Sequence, residues 1–203
     1  MQTWEELMAA VDCNAEAHAR VEHAVGVFEK WLAEHEREQG ADNTDLARYY
    51  EHAAYWFEDK GEEHLAEPFY RKALQIREKV LGDDHPELVT TLTNLAIVCQ
   101  ETDEHEQAEA FFRRALAISE KHQGAKSSGT GYLLWELAVH FFDQGRLEDS
   151  APFYKRALEI SETGVMDKQS HSIILETYAE VLRKLDRVPE AEVVERKMAA
   201  GKK

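Results

Sequence analysis

Ala66-Glu67-Pro68-Phe69-Tyr70-Arg71-Lys72-Ala73-Leu74 returns 42 residues later as Ala108-Glu109-Ala110-Phe111-Phe112-Arg113-Arg114-Ala115-Leu116, and after a further 42 as Ser150-Ala151-Pro152-Phe153-Tyr154-Lys155-Arg156-Ala157-Leu158. A fixed period of this length marks a solenoid of stacked repeats, in which each unit buries its apolar face on the next. Around the quoted stretch the apolar residues recur at helical spacing. Tyr50, Ala53, Ala54 and Phe57 share one face, and Leu65, Phe69, Tyr70, Ala73, Leu74 and Ile76 share another. The spacing predicts helices over about 43–60 and 62–81, with Gly61 and Gly82 ending them. Asp84-His85-Pro86-Glu87 then opens the next helix through a capping Asp or His and a first-turn Pro.

The later units repeat the scheme. Leu92, Leu95, Ala96 and Cys99 pair with Ala108, Phe112, Ala115 and Ile118. Leu134, Leu137, Ala138 and Phe141 pair with Ser150, Tyr154, Ala157 and Ile160. A fourth unit, shifted by one residue, carries Tyr178, Ala179, Leu182, Asp186 and Ala191, and turns polar late, as a solvent-facing cap must. At the other end, Thr3-Trp4-Glu5-Glu6 reads as a capping box. It predicts a helix to about Val11 and a long one from about Asn14 to Gln39, with Ala24, Phe28, Trp31 and Leu32 in the repeat register. The expected organisation is N-terminal capping helices at 1–43, repeats at 44–85, 86–128 and 129–169, and a degenerate fourth repeat or cap at 170–203. The fold class is all-α.

The small residues Ala54, Ala66 and Ala73, spaced by 12 and 7, recur as Ala96, Ala108, Ala115 and as Ala138, Ser150, Ala157. With the aromatics Tyr70, Phe112 and Tyr154, they make the chain resemble tetratricopeptide repeat proteins. The 42-residue period and the string Val80-Leu81-Gly82-Asp83-Asp84-His85-Pro86-Glu87 with Thr93-Asn94-Leu95-Ala96 resemble the kinesin-light-chain type of repeat. The resemblance implies a right-handed α-α superhelix of antiparallel helix pairs with a peptide-binding groove. It does not imply a motor partner, because the heptad region that recruits the motor subunit is missing.

Composition narrows the function. The net charge is −16 over 203 residues, and residues 1–45 alone carry 11 acids against 3 bases. Such a surface repels phosphate backbones, so nucleic acid is not an expected partner. No apolar run approaches the ~18 residues of a membrane span. The acidic start is unlike a signal peptide, and two cysteines, Cys13 and Cys99, form no spacing motif. A cytoplasmic protein without membrane contact is expected. His18, Glu22 and His23 lie close on one helix but form no metal framework. Gly124-Ala125-Lys126-Ser127-Ser128-Gly129-Thr130-Gly131 has the wrong order for a phosphate loop and reads as an inter-repeat loop. No nucleophile–base pair stands out. The expectation is a non-enzymatic chain with no cofactor and no metal.

In tetratricopeptide repeats the first helix of each pair lines the concave side, so positions opposite its core face are the candidate binding surface. These include Tyr55 in the first unit, Asn94 and Ile97 in the second, and Tyr132, Trp135, Glu136 and Phe142 in the third. The carboxylate clamp of co-chaperone relatives needs Lys, Asn, Asn, Lys and Arg. Here Glu51, Tyr55, Asn94, Tyr132 and Glu136 stand at those sites, so only Asn94 fits and an acidic tail is not the expected ligand. Aromatics without a core role are candidate anchors. Glu51, Glu136 and Glu180 beside them favour a protein or peptide with Lys or Arg next to apolar residues. The rival reading is a structural homo-oligomer, in which the acidic N-terminal end meets the mildly basic C-terminal end of another copy. A third is a peptide-sensing regulatory domain.

Overall fold

A computed structural model of the chain describes Thr3, Trp4, Glu6, Leu7, Val11 and residues 17–201. The expected helix start near Asn14, Cys13, and the side chains of His18 and Glu22 lie outside the described residues. The helices are α1 Ala17–Gln39, α2 Thr44–Asp59, α3 Glu63–Leu81, α4 Leu88–Glu101, α5 His105–His122, α6 Ser128–Asp143, α7 Leu147–Ser161, α8 Lys168–Lys184 and α9 Val188–Gly201. No strand occurs among the described residues. The chain forms two compact units, 1–108 and 109–203, with the division falling within α5.

In the first unit α1 packs on α2, α2 on α3 and α3 on α4. The predicted faces are the buried ones: Ala53, Ala54 and Phe57 from α2, Ala66, Phe69, Tyr70 and Ala73 from α3, and Leu92, Leu95, Ala96 and Cys99 from α4. Asn43 caps α2, its side chain accepting from the Asp45 N–H. The α2–α3 turn is a Schellman motif. Gly61 sits at φ 72°, the Glu62 N–H donates to the Phe57 carbonyl and the Gly61 N–H to the Glu58 carbonyl. The α4–α5 turn has the same bonds, with Asp103 in the left-handed position at φ 61°.

The capping box forms. The Thr3 N–H donates to Glu6 Oε2 at 2.9 Å, and the Glu6 N–H donates to Thr3 Oγ1 at 3.2 Å. Trp4 then enters a ring cluster with Phe28, Trp31, Tyr49 and His52, at centroid distances of 5.4–5.7 Å. Leu7 and Val11 are buried with it. Trp31, which stands where the later repeats have Ala, is therefore covered by aromatic rings.

His85 caps the start of α4 as expected, its ring Nδ1 accepting from the Glu87 N–H, and a tight turn over 85–88 with Pro86 leads into the regular helix at Leu88. One local expectation needs correction. The stretch 124–131 is a loop only as far as Ser127. Ser127 caps α6, its hydroxyl accepting from the Thr130 N–H, and Gly129, Thr130 and Gly131 are helical. Gly131 is buried, and a Cβ built there would lie 2.6 Å from Met166 Sδ.

In the second unit α6 packs on α7, α7 on α8 and α8 on α9. Its small-residue crossing is direct: the buried Ser150 Oγ donates to the Ala138 carbonyl at 2.8 Å. A side chain reaching a neighbouring backbone at that distance leaves no space for a larger one. Ser150→Leu is expected to cost about 1–3 kcal/mol by overpacking, read as a lower denaturation midpoint at unchanged m-value. An unchanged midpoint would mean that α6 and α7 do not cross at this position.

Candidate functional site

The first unit commits its face to internal partners. Glu51 Oε2 accepts from the Arg77 guanidinium at 2.7 Å, and the Thr91 hydroxyl donates to the other carboxylate oxygen. Arg77 also reaches Glu87 at 3.2 Å. The Tyr70 hydroxyl donates to Glu58. Burial, and then the Glu58 carboxylate, push the Tyr70 phenol far above its ordinary range, while Asn94 beside it pulls the other way. Burial raises the Glu58 carboxyl, against the Tyr70 hydrogen bond. Asn94 and Ile97 are half-buried, and Tyr55 is 67% exposed. Glu51 is thus neutralised within the chain and is not a free counter-charge for a basic partner.

The second unit is organised differently. α6 places Tyr132, Trp135, Glu136 and Phe142, all half-buried. The Tyr132 hydroxyl donates to Asp167 Oδ2 at 2.7 Å, so it ties α6 to the N-cap of α8. Asp167 also accepts from the Ser170 hydroxyl and N–H, and these bonds together with Tyr132 hold its carboxyl far below the usual range. The Trp135 ring lies 6.5 Å from that of Tyr132. Phe142 lies under the Lys184 ammonium at 4.7 Å, and Lys184 pairs with Glu180 at 2.9 Å. Glu136 has no cation or hydrogen-bond donor among the described residues, and burial raises its carboxyl above the ordinary range.

Two buried atoms of the second unit lack partners: Trp135 Nε1 and the Tyr154 hydroxyl. Tyr154 is 0% exposed. It stands two repeats after Tyr70, yet Phe142 occupies the place of Glu58, so the acceptor that Tyr70 has is gone. The nearby Thr177 hydroxyl donates instead to the Ile173 carbonyl at 2.8 Å. Burial pushes the Tyr154 phenol up to about 12; the Thr177 hydroxyl beside it pulls the other way, and Asp143, Glu180 and Glu136 add to the rise. Orphaned buried polar groups are uncommon and point to a missing partner.

A third cluster joins Glu67, Cys99 and Glu104, whose ligand atoms lie within 4.8 Å of one another. Glu67 is held by Arg71 at 2.5 Å, and burial followed by the Glu67 charge pushes the Cys99 thiol up to about 11.

The site residues read from the sequence therefore separate. Tyr55, Asn94 and Ile97 lie in the first unit, and Tyr132, Trp135, Glu136 and Phe142 share α6 in the second. Tyr154 was legible only as core. The signal that singles it out is the exchange of Glu58 for Phe142 at matching repeat positions.

Glu136 binds its proton more tightly folded than unfolded, so its contribution favours the fold at low pH and is lost as pH rises through its folded pKa. Glu136→Gln is expected to raise the melting temperature at pH 7. The gain should shrink towards zero near about pH 4, the ordinary range of a glutamate. Thermal unfolding at the two pH values checks this; a fall at pH 7 would show that Glu136 has a stabilising partner.

Residues 45–121 match the family model of the tetratricopeptide repeat. No curated protein matches the chain by sequence. Among solved structures, BtubC (BKLC) from P. vanneervenii shares 20% identity at a TM-score of 0.73, covering 91% of this chain and 80% of that one. The nearly identical TPR-like repeats of a Podosopora anserina kinesin light chain share 16% identity at 0.72, covering 97% and 91%. Aspartyl phosphate phosphatase F from Bacillus subtilis shares 16% identity at 0.69, covering 91% of this chain and 48% of that one. Residues 45–121 thus carry tetratricopeptide repeats, and the chain as a whole shares the fold of these repeat structures.

Proposed function

We propose that the chain is a non-enzymatic protein-interaction module that binds a partner peptide or helix on the first-helix face of its repeats, chiefly through α6 and α8 of the second unit. The tetratricopeptide repeat fold supports protein–protein interaction as the general role. The likeness to a protein named as a phosphatase extends to the fold alone at 16% identity and supplies no catalytic residues. Among the described residues no helix is long and apolar enough to cross a membrane.

The observation that carries the proposal is Trp135. It is half-buried, its indole N–H is enclosed and unsatisfied, and the matching positions hold Glu51, Thr93 and Glu176. No repeat core requires a tryptophan there. A flat aromatic with an unspent donor, beside an unpaired carboxylate, fits a peptide that offers apolar side chains, a backbone carbonyl and a basic group.

The rival reading, end-to-end self-association, draws on a cleft of about 200 Å³ between α7, α8 and α9, lined by Leu158, Tyr178, Leu182 and Val193, the last 47% exposed. Sedimentation at low and high salt separates the two, since an acid-to-base junction dissociates as salt rises.

A peptide selected on the full chain from a random dodecapeptide array tests the main reading. Trp135→Ala is expected to weaken such a peptide about 30-fold, the effect of an anchor worth about 2 kcal/mol, while thermal unfolding stays cooperative. Unchanged affinity in a folded variant would place binding elsewhere. Loss of cooperative unfolding would make Trp135 a core residue.

A further inference from the structure

The turn inside each helix pair sets two residues side by side. The residue after the left-handed position donates its N–H to the carbonyl five residues back: Glu62 to Phe57, Glu104 to Cys99 and Arg146 to Phe141. In the second unit this place holds a cation. The Arg146 guanidinium lies 4.4 Å over the Phe141 ring and donates to Glu109 Oε2 at 2.9 Å. Glu109 also pairs with Arg113 at 2.9 Å, so one carboxylate serves two guanidiniums.

The matching place in the first unit has the opposite charge. Glu67 stands for Glu109, Cys99 for Phe141 and Glu104 for Arg146. Two carboxylates replace one, the guanidinium of Arg146 is gone, and a small thiol takes the place of a ring. The Cys99 Sγ and one oxygen of each glutamate lie within 4.8 Å of one another. Cys99 is fully buried, and its thiol has no hydrogen-bond partner among the described residues. Glu67 and Glu104 are half-buried, so the cluster has a covered sulfur and two carboxylates that reach solvent. Arg71 donates to Glu67 Oε1 at 2.5 Å and to Gln107, and Gln107 donates to Glu104. Both carboxylates are thereby oriented by an outer ring of donors.

We propose that Glu67, Cys99 and Glu104 form a site for a divalent transition-metal ion of the Zn²⁺ class, with the fourth position left to water. A sulfur ligand selects against Mg²⁺ and Ca²⁺, and one thiolate with two carboxylates suits Zn²⁺. The donors of a tetrahedral zinc site stand roughly 3.5 Å apart, as its bond lengths require. A small inward turn of the two half-buried glutamates closes the set to that size. The ion forms one bond to sulfur and one to each carboxylate. The thiol proton passes to solvent, because a bound cation deprotonates a coordinating thiol outright. The ion then ties α3 to the α4–α5 turn, as Arg146 ties Glu109 to the α6–α7 turn. The competing account is an ion-pair network over a core cysteine, in which Arg71 balances the two acids.

The probe is Co²⁺, titrated into the reduced full chain in a non-chelating buffer. A cobalt–thiolate bond gives a near-ultraviolet charge-transfer band, which cobalt on surface histidines or carboxylates lacks. The band is expected to saturate at a single ion per chain, to be displaced by Zn²⁺ and to be indifferent to Mg²⁺. It should vanish in Cys99→Ala and persist in Cys13→Ala, which separates the two cysteines of the chain. Glu104→Arg copies the second unit, so it should remove the band while the metal-free protein stays at least as stable. Glu67→Gln should weaken Co²⁺ by at least about tenfold, since losing even an outer-shell partner costs that much.

No band at a large excess of Co²⁺ overturns the site and leaves the ion-pair network. That result needs only the unaltered chain, so it reads out even if a variant misfolds. A band that survives Cys99→Ala overturns the site as well, and so does one that needs Cys99 but neither glutamate. None of these outcomes depends on Trp135 or on a bound peptide, so the metal site and the peptide face stand or fall separately.

Discussion

Close crossing of helices at small side chains is the constraint on which the structure depends. Ala53, Ala54, Ala66 and Ala73 in the first unit, and Ala138, Ser150 and Ala157 in the second, are all buried. Where Ser150 meets the Ala138 carbonyl, a side-chain atom touches the neighbouring helix backbone itself. The larger residues around the crossings, such as Tyr70 and Leu92 in the first unit and Leu134 and Tyr154 in the second, are fully buried. Close crossing also dictates the turns, because short connections that reverse the chain need a left-handed residue. Gly61 and Gly145 supply it without strain, while Asp103 and Asp186 adopt it at φ near 60°.

Once the core positions are spent on packing, the opposite side of each first helix is free to vary. The first unit uses that freedom for internal pairing, in which Glu51, Arg77, Glu87 and Thr91 bind one another and Tyr70 binds Glu58. The second unit leaves the Glu136 carboxylate and the Trp135 indole N–H without partners. Unpartnered groups of this kind lower stability in the free protein, and function is the usual reason that a fold retains them.

The sequence made the fold legible because the period is strict and the crossings tolerate few residue types. Helix limits near 43–60 and 62–81 agree with α2 and α3 to within a residue or two. It failed where a local bond competed with the general signal. The Ser127 cap turned half of an apparent loop into α6. The candidate face was legible only as a set of positions. Its partners depend on side chains from other helices: Asp167 for Tyr132, Lys184 for Phe142, Arg77 for Glu51. No spacing within one helix announces those pairs. Tyr154 was hidden for a related reason, since its ring belongs to the core and only its oxygen belongs to the candidate site.

The most direct test of the account is amide hydrogen exchange on the full chain, free and saturated with an array-selected peptide. The account predicts new protection within 128–143 and 168–184, the helices that carry Trp135, Glu136 and Thr177, with 44–59 and 88–101 unchanged. Protection gained in 44–59 and 88–101 instead would contradict it, because it would put the partner on the first unit, where Glu51 and Tyr70 are paired within the chain.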